Sequence, residues 1–245
     1  MGYRLPALLL LVPGLVLGGC ASRANRVAGD PLEPMNRALF DFNTAMDKTI
    51  LIPVSKTYQT VTPKPARNGI RNFLNNLGSP VILVNDVLQG EWKRAGITIS
   101  RFAINTTAGV GGLFDVAKRN GLERHNEDFG QTMAIAGIGA GPYLVLPLLG
   151  PSSLRDAFGR LPDHYFAPLT YTQFDGKSTY LTTSRAVDIV DKRARALKLV
   201  KKLRQTAFDE YNSVRDLYWQ TRKDEIANGH TQIETLPEFD ISSTE

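Results

Sequence analysis

Cysteine and histidine are scarce in this sequence of 245 residues. The single cysteine, Cys20, excludes an intramolecular disulfide. None of the three histidines has the HExxH spacing of a helical zinc site, and no serine stands in a GxSxG elbow. We therefore predict that the protein is not an enzyme and holds no metal or cofactor. The scattered acids Asp115, Asp128 and Asp156 fit capping or surface roles better than metal binding.

Phosphate-binding loops are also missing. No GxxxxGKS or GxxxxGKT run occurs, and Gly137-x-Gly139 would need a small residue where Pro142 stands. Gly109-x-Gly111 fails in the same way, because Phe114 occupies the third position. The 29 basic and 24 acidic residues leave a modest cationic excess, which suits an anionic membrane surface. We expect no nucleic-acid partner, because the N-terminus indicates export.

The first twenty residues have the pattern of an export signal. Residues 1–4 carry one positive charge, residues 5–17 are almost wholly apolar, and Leu17-Gly18-Gly19 precede Cys20. That pattern resembles the lipobox of bacterial lipoproteins, whose cysteine takes a diacylglyceryl group and becomes the first residue after cleavage. By the same resemblance, Ala21 rather than aspartate favours sorting to the outer membrane. The alternative is an ordinary signal peptide with a chance cysteine.

Apolar periodicity predicts a mainly α fold. Asp30, Pro31 and Glu33 are placed to begin the first helix, with Asp30 as its cap. Pro53, Pro63 and Pro65 are expected to break the stretch that follows. In chain order the predicted helices cover 33–48, a stretch ending before Gly78, 81–89, 91–106, a short helix through Ala117, 129–135, a helix from Ser152 to about Gly159, and 184–226.

Four segments follow from these patterns. We predict a signal peptide at 1–19, a lipidated N-terminus and tether at 20–29, one helical domain at 30–229, and a disordered acidic tail at 230–245.

Residues 134–151 form the most unusual segment. They contain no charged residue, and the hydroxyl of Tyr143 is their only polar side-chain group. The length reaches the threshold for a membrane span, but four glycines and three prolines argue against a continuous helix. Irregular backbone in a bilayer requires burial in protein or a cavity. We therefore predict a bent hairpin or loop packed inside a protein that sits in lipid; the alternative is a core loop of a soluble domain.

Basic residues cluster between 192 and 204, with no acid among them. On an amphipathic helix such a cluster is typical of membrane-surface or partner contact, although a solvated helix face is the common alternative. The residues assigned to this contact are Lys192, Arg193, Arg195, Lys198, Lys201 and Lys202.

The motifs along the chain resemble those of the MlaA (VacJ) family of outer-membrane lipoproteins. They include DPLEPMNR at 30–37, FDFN at 40–43, GVGGLFDVA at 109–117, FGQT at 129–132, GPY at 141–143, LRD at 154–156 and IANG at 226–229. The resemblance implies a single ring-like domain of amphipathic helices lying in the membrane plane on the periplasmic side, with a central amphipathic channel. It also implies removal of misplaced phospholipid from the outer leaflet, association with trimeric porins of the OmpC/OmpF type, and delivery to the periplasmic carrier MlaC.

The same resemblance assigns a lipid path. Its channel or gate residues would be Phe42, Asn43, Gly137, Gly139, Gly141, Pro142, Tyr143 and Leu144. Glycine hinges beside such a path could gate it. Two alternatives remain: a lipoprotein that scaffolds porins without moving lipid, and a membrane-bound lipase or esterase, whose motif is absent.

Overall fold

A computed structural model of the protein describes residues 30–229. The signal peptide, Cys20, the tether and the acidic tail lie outside the described residues. Helices dominate, as the sequence predicts. In chain order the elements are α1 (Glu33–Met46), a π-helical turn (Asp47–Leu51), α2 (Ile52–Val61), α3 (Lys64–Leu88), α4 (Trp92–Thr107), α5 (Val116–Arg119), α6 (Phe129–Ile135), β1 (Tyr143–Leu146), β2 (Gly150–Ser153), α7 (Leu154–Phe166), a 3-10 turn (Pro168–Thr170), α8 (Lys177–Thr206) and α9 (Glu210–Ile226).

The first two helices form one continuous helical run, so the expected break at Pro53 is wrong. The N–H of Ile52 bonds to the carbonyl oxygen of Asp47, five residues back. This wider turn directly precedes Pro53, which lacks a backbone donor and would crowd a carbonyl in a regular turn. Asp30 does not cap α1, which begins at Glu33 with no side-chain cap.

Helix α3 is longer than predicted. It passes through Gly78 and Pro80 without ending, whereas the sequence indicated a break there. Helix α3 packs against its neighbour α4, and residues 89–91 connect the two. Between these helices, Asn76 Nδ2 donates to Thr106 Oγ1 at 2.9 Å. Packing of this kind overrides local propensity. The predicted separation at Gly90 is confirmed, with a φ of +76°.

The C-terminal half also differs in its boundaries. Ser153, not Ser152, caps α7, accepting from the N–H of Asp156, and the helix continues past Gly159 to Phe166. The single long helix predicted for 184–226 is two helices, because the chain turns at residues 207–209. Asp209 caps the second helix by accepting from the N–H of Asn212.

Elements between α4 and α7 largely match expectation. Asp115 caps α5 and Asp128 caps α6, at the positions predicted for short helices. Residues 143–153 form an antiparallel hairpin in which Tyr143 pairs with Ser153 and Leu146 with Gly150. A small core lies beneath it, built from Tyr143, Val145 and Tyr211 with partly buried Leu39, Phe40, Tyr218 and Trp219. Within residues 30–229, no helix is both long and apolar enough to cross a membrane.

Candidate functional site

The distribution of polar and apolar side chains differs from that of a typical water-soluble domain. Glycine aside, eighteen of the buried residues are polar or charged, and seven are apolar. Meanwhile many large apolar side chains are exposed, among them Phe42, Trp92, Ile99, Phe158, Leu161 and Leu199. Scattered exposed apolar residues are ordinary, but so many of them around a polar interior are not. Parts of the exterior therefore suit an apolar environment.

Two asparagines of α1 hold the hairpin. Asn36 Nδ2 donates to the carbonyl oxygen of Tyr143, and its Oδ1 accepts the N–H of Val145, both at 2.9 Å. Seven residues on, Asn43 Nδ2 donates to the carbonyl of Leu146 at 2.9 Å, and its Oδ1 accepts from the N–H of Leu148 at 2.7 Å. Each amide thus satisfies backbone groups as a neighbouring strand would.

Tyr143 lies in the core rather than on an open path. Its side chain is fully buried, with ring centroids 5.7 to 6.2 Å from those of Tyr211, Tyr218 and Trp219. Burial and then the charge of Asp30 raise the pKa of Tyr143 above its ordinary value. In this conformation the ring of Tyr143 fixes the hairpin from the core. Its assignment to the lipid path stays a prediction. Its neighbour Leu144 is half-buried.

The sequence predicts that the loop of residues 136–142, which leads into the hairpin, is packed inside the protein. The structure shows instead that this loop is largely exposed. Ile135 and Ile138 are nearly half exposed, and the hairpin tip exposes Leu148 and Leu149 further. Buried Arg155 secures the loop from α7: its backbone N–H donates to Ala140 O at 3.0 Å and its Nη1 to Ile138 O at 3.3 Å. These two carbonyl oxygens of the irregular loop are therefore satisfied within the protein.

The three glycines of this loop differ in what they require. Gly137 and Gly141 have φ values of +87° and +69°, which side chains rarely adopt, while Gly139 has no positive φ and open space around its Cα. A Cβ added at Gly141 would also lie 3.1 Å from Leu154 Cβ. Loop shape therefore depends on Gly137 and Gly141, whereas a side chain at Gly139 would meet no obstacle.

The basic cluster on α8 divides into two groups. Arg193 is mostly buried and binds Asp47 through 2.5 and 2.8 Å contacts, while Lys192 pairs with Asp188 and Arg195 with Asp191. Burial opposes ionisation of Asp47, but Arg193 and Arg204 outweigh it and keep the pKa of that carboxyl below its usual value. The other group consists of exposed lysines whose side chains form no hydrogen bond or ion pair within residues 30–229: Lys198, Lys201 and Lys202.

A second charged cluster, which the sequence did not predict, joins α9 to α6 and α7. Arg222 contacts Asp128 at 2.7 Å and Asp156 at 2.8 Å, and Tyr218 donates to Asp156 at 2.5 Å. Burial disfavours the charged carboxyls, yet their contacts with Arg222 outweigh it and lower the pKa of both aspartates. Nothing in the helical period of α9 distinguishes Arg222 from a surface arginine, so this role required the tertiary structure.

A buried Asp–His–Thr contact does not form a catalytic relay. Nε2 of His125 lies 3.0 Å from Asp86 and 3.2 Å from Thr98 Oγ1, which itself donates to Asp86. A nucleophile–base–acid relay uses both imidazole nitrogens in different contacts. The residues from 30 to 229 also contain no group of three or more acids, histidines or cysteines placed to hold a metal.

Three comparisons with known proteins agree. The family model described as "MlaA lipoprotein" matches residues 28–225. The chain is 38% identical to the "Intermembrane phospholipid transport system lipoprotein MlaA" of Escherichia coli (strain K12), covering 94% of this chain and 90% of that protein. It is 33% identical to the protein of the same description from Haemophilus influenzae, covering 94% and 95%.

A solved structure has the same fold. It comes from work on the structural basis for maintenance of bacterial outer membrane lipid asymmetry, and it superposes with a TM-score of 0.72 at 38% identity. The match covers 80% of this chain and 98% of the solved one.

Proposed function

This chain belongs to the MlaA lipoprotein family, and from that premise we propose that it transports phospholipid between membranes and thereby maintains the lipid asymmetry of the outer membrane. It takes phospholipid misplaced in the outer leaflet and passes it to the periplasmic side. The step moves a molecule and forms no covalent bond, so the proposal requires no cofactor and no catalysis.

The observation that carries this proposal is the polar interior of a domain whose surface exposes many large apolar side chains. A phospholipid that crosses a leaflet must bring a charged headgroup through hydrocarbon, which is unfavourable by several kcal/mol or more when the group is unprotected. A domain whose outside suits lipid tails, and whose inside offers amides, carboxylates and guanidinium groups, lowers that cost. Transport of a phospholipid requires both, because the headgroup needs polar partners while the tails need an apolar surface.

We place the lipid path beside the hairpin. Gly137, Gly139, Gly141 and Pro142 form its movable wall, and half-buried Leu144 lines it with them. On α1, Asn43 bonds to the same hairpin, and we assign its exposed neighbour Phe42 to the path as well. Tyr143 acts in this proposal as the fixed point on which the wall turns, because its ring is held in the core.

The protein is proposed to sit in the outer membrane, anchored by lipid on Cys20 and facing the periplasm. Two acyl signals or more hold a protein stably, whereas one chain binds weakly. Exposed Lys198, Lys201 and Lys202 then lie near anionic headgroups or a partner surface. The proposed partners are trimeric porins of the OmpC/OmpF type in the membrane and the carrier MlaC in the periplasm.

The test is the amount of phospholipid in the outer leaflet of intact cells. Deleting the gene should raise it, and the wild-type protein should restore it. A Gly141→Pro protein should not restore it, because proline fixes φ near −65° where this loop needs +69°. An unchanged outer leaflet on deletion would contradict transport and favour a porin scaffold, which porin co-purification from the same cells would then reveal.

A further inference from the structure

An amphipathic cavity lies apart from the hairpin, between α3, the end of α7 and α8. Its volume is about 350 Å³, at the lower end of the range of roughly 300–1,000 Å³ for small-molecule pockets. Such a volume fits a headgroup and the first part of its chains, but not a whole phospholipid. Leucines from three sides form its apolar walls: Leu74, Leu77, Leu169 and Leu181.

The charged lining of this cavity is mainly cationic. Arg124, Arg185 and Lys192 face a single carboxylate, that of Asp188. Lys192 and Asp188 neutralise each other at 2.6 Å. The side chains of Arg124 and Arg185 form no hydrogen bond or ion pair with any residue of 30–229, although the charges of Asp115 and Asp188 favour the charged form of Arg124 at longer range. The cavity therefore keeps an excess of positive charge.

Arg124 and Arg185 are both exposed to solvent. Desolvation by the surrounding protein, followed by repulsion from Arg101, nevertheless lowers the pKa of Arg124. An exposed side chain that is also crowded by protein fits the wall of an open cavity. An arginine remains protonated at neutral pH despite such a shift, so the cavity keeps its charge.

Arg124 also stands where two spaces meet. With Asn75 it lines both the amphipathic cavity and a narrow polar cleft. The cleft is lined further by Asn72, Ser79 and Asn76, whose buried Oδ1 has no partner, and by the ion pair of Arg101 with Asp115. An anion held at Arg124 would therefore have amide and hydroxyl groups and this ion pair on one side and leucines on the other.

We propose that this cavity binds the phosphodiester of a phospholipid through Arg124, assisted by Arg185, with the leucine walls taking the start of the acyl chains. A guanidinium offers two parallel N–H groups that match two oxygens of a phosphate. The apolar lining distinguishes a lipid from a free anion, which would gain nothing from it. This inference rests on the proposed function. It adds a second lipid-binding position to the transport path, away from the hairpin.

Binding can be measured by isothermal titration calorimetry on the full mature protein in dodecyl maltoside. The probes are dihexanoyl phosphatidylglycerol, dihexanoyl glycerol, which lacks the phosphate, and inorganic phosphate. Arg124→Gln should weaken phosphatidylglycerol binding about tenfold or more, and Arg124→Lys should lose less, since it keeps the charge without the fork. Lys223→Gln is the charge-matched control on the exposed surface of α9 and should bind as wild type.

Two results would overturn the proposal. One is an unchanged affinity in a folded Arg124→Gln protein, as judged by circular dichroism. The other is inorganic phosphate binding as tightly as phosphatidylglycerol, which would make this a free-anion site. The amount of outer-leaflet phospholipid in cells distinguishes failure of the cavity proposal from failure of the transport proposal. If deletion raises this amount and the Arg124→Gln protein fully restores the wild-type value, transport stands but does not use the cavity. If deletion leaves this amount unchanged, transport itself fails whatever the calorimetry gives.

Discussion

The side-chain amide of Asn36 donates to the carbonyl oxygen of Tyr143 at 2.9 Å and joins residues that are 107 positions apart in the sequence. The same Nδ2 also donates to Asp30 Oδ1 at 3.1 Å, and Asp30 accepts from the hydroxyl of Tyr211. One fully buried amide thus connects the start of the domain, its hairpin and its last helix.

Asn36→Asp should destabilise the domain by about 3 kcal/mol or more, because it removes the donor to Tyr143 and buries a second negative charge beside Asp30. The matched change Asn43→Asp removes the other side-chain donor to the hairpin, at a half-buried position. It should lower the free energy of unfolding by only about 1 kcal/mol. Guanidinium unfolding in non-ionic detergent, followed by tryptophan fluorescence, measures both. Equal losses would show that the two amides hold the hairpin alike.

Gly139→Ala tests whether the loop must move. Because Gly139 has ordinary φ and empty space around it, alanine should fit without strain and slightly stabilise the fold, by about 0.4–1 kcal/mol. If the loop gates lipid, outer-leaflet phospholipid should nevertheless rise in cells carrying this variant. Gly96→Ala on α4, equally unobstructed, is the control. A stable Gly139→Ala protein with normal asymmetry would remove Gly139 from the gate.

Lys198, Lys201 and Lys202 should contribute to membrane attachment by charge alone. Changing all three to glutamine should weaken binding to phosphatidylglycerol vesicles by about 1 kcal/mol per lysine at low salt, with little effect at high salt. Stability should stay near the wild-type value, since these side chains are exposed and unpaired within residues 30–229. Sedimentation with vesicles at two salt concentrations gives the answer.

Arg193→Gln provides the contrast on the same helix. Its partner Asp47 is largely buried, so the loss should appear in unfolding rather than in vesicle binding. A stable Arg193→Gln protein that fails to bind vesicles would instead place Arg193 at the membrane surface.

Arg222→Gln should weaken the pH dependence of stability. In the wild-type protein Asp128 and Asp156 have lowered pKa values, so their contribution is complete above the unfolded pKa of about 3.9 and is lost as pH falls through the folded values. Without Arg222 the pKa values of both carboxyls should rise, although Arg155 Nε still donates to Asp156 at 3.0 Å. The variant should then lose less stability than the wild type as pH falls from 7 towards 4. Unfolding midpoints at the two pH values measure this; an equal loss in both proteins would contradict it.

Some roles could be read from the sequence because they depend on neighbours along the chain. Asp115 and Asp128 cap short helices where the pattern of apolar residues begins, and Gly90 separates α3 from α4. Asn36 gave a weaker signal that was missed: it lies on the face of α1 that also carries Leu39 and Phe40, where an apolar residue would be expected.

Roles that depend on distant partners could not be predicted in this way. Arg155 and Arg222 resemble surface arginines until α6, α7 and α9 come together around them. The break at residues 207–209 is likewise set by Asp209, which caps α9 and binds Arg37 at 2.8 Å, 172 positions away.

The sequence by itself determined the mainly helical class and the impossibility of a continuous helix at 134–151, and its motifs carried the resemblance to the family. The helical class and the interrupted segment follow from side-chain period and backbone restriction, which act over a few residues. Tertiary structure alone decided that Pro80 lies inside a helix, that Tyr143 is buried beneath the hairpin, and that Arg124 faces a cavity. The reason is physical: burial, ion pairing and cavity lining are relations between segments, and the sequence lists the groups without stating which of them meet.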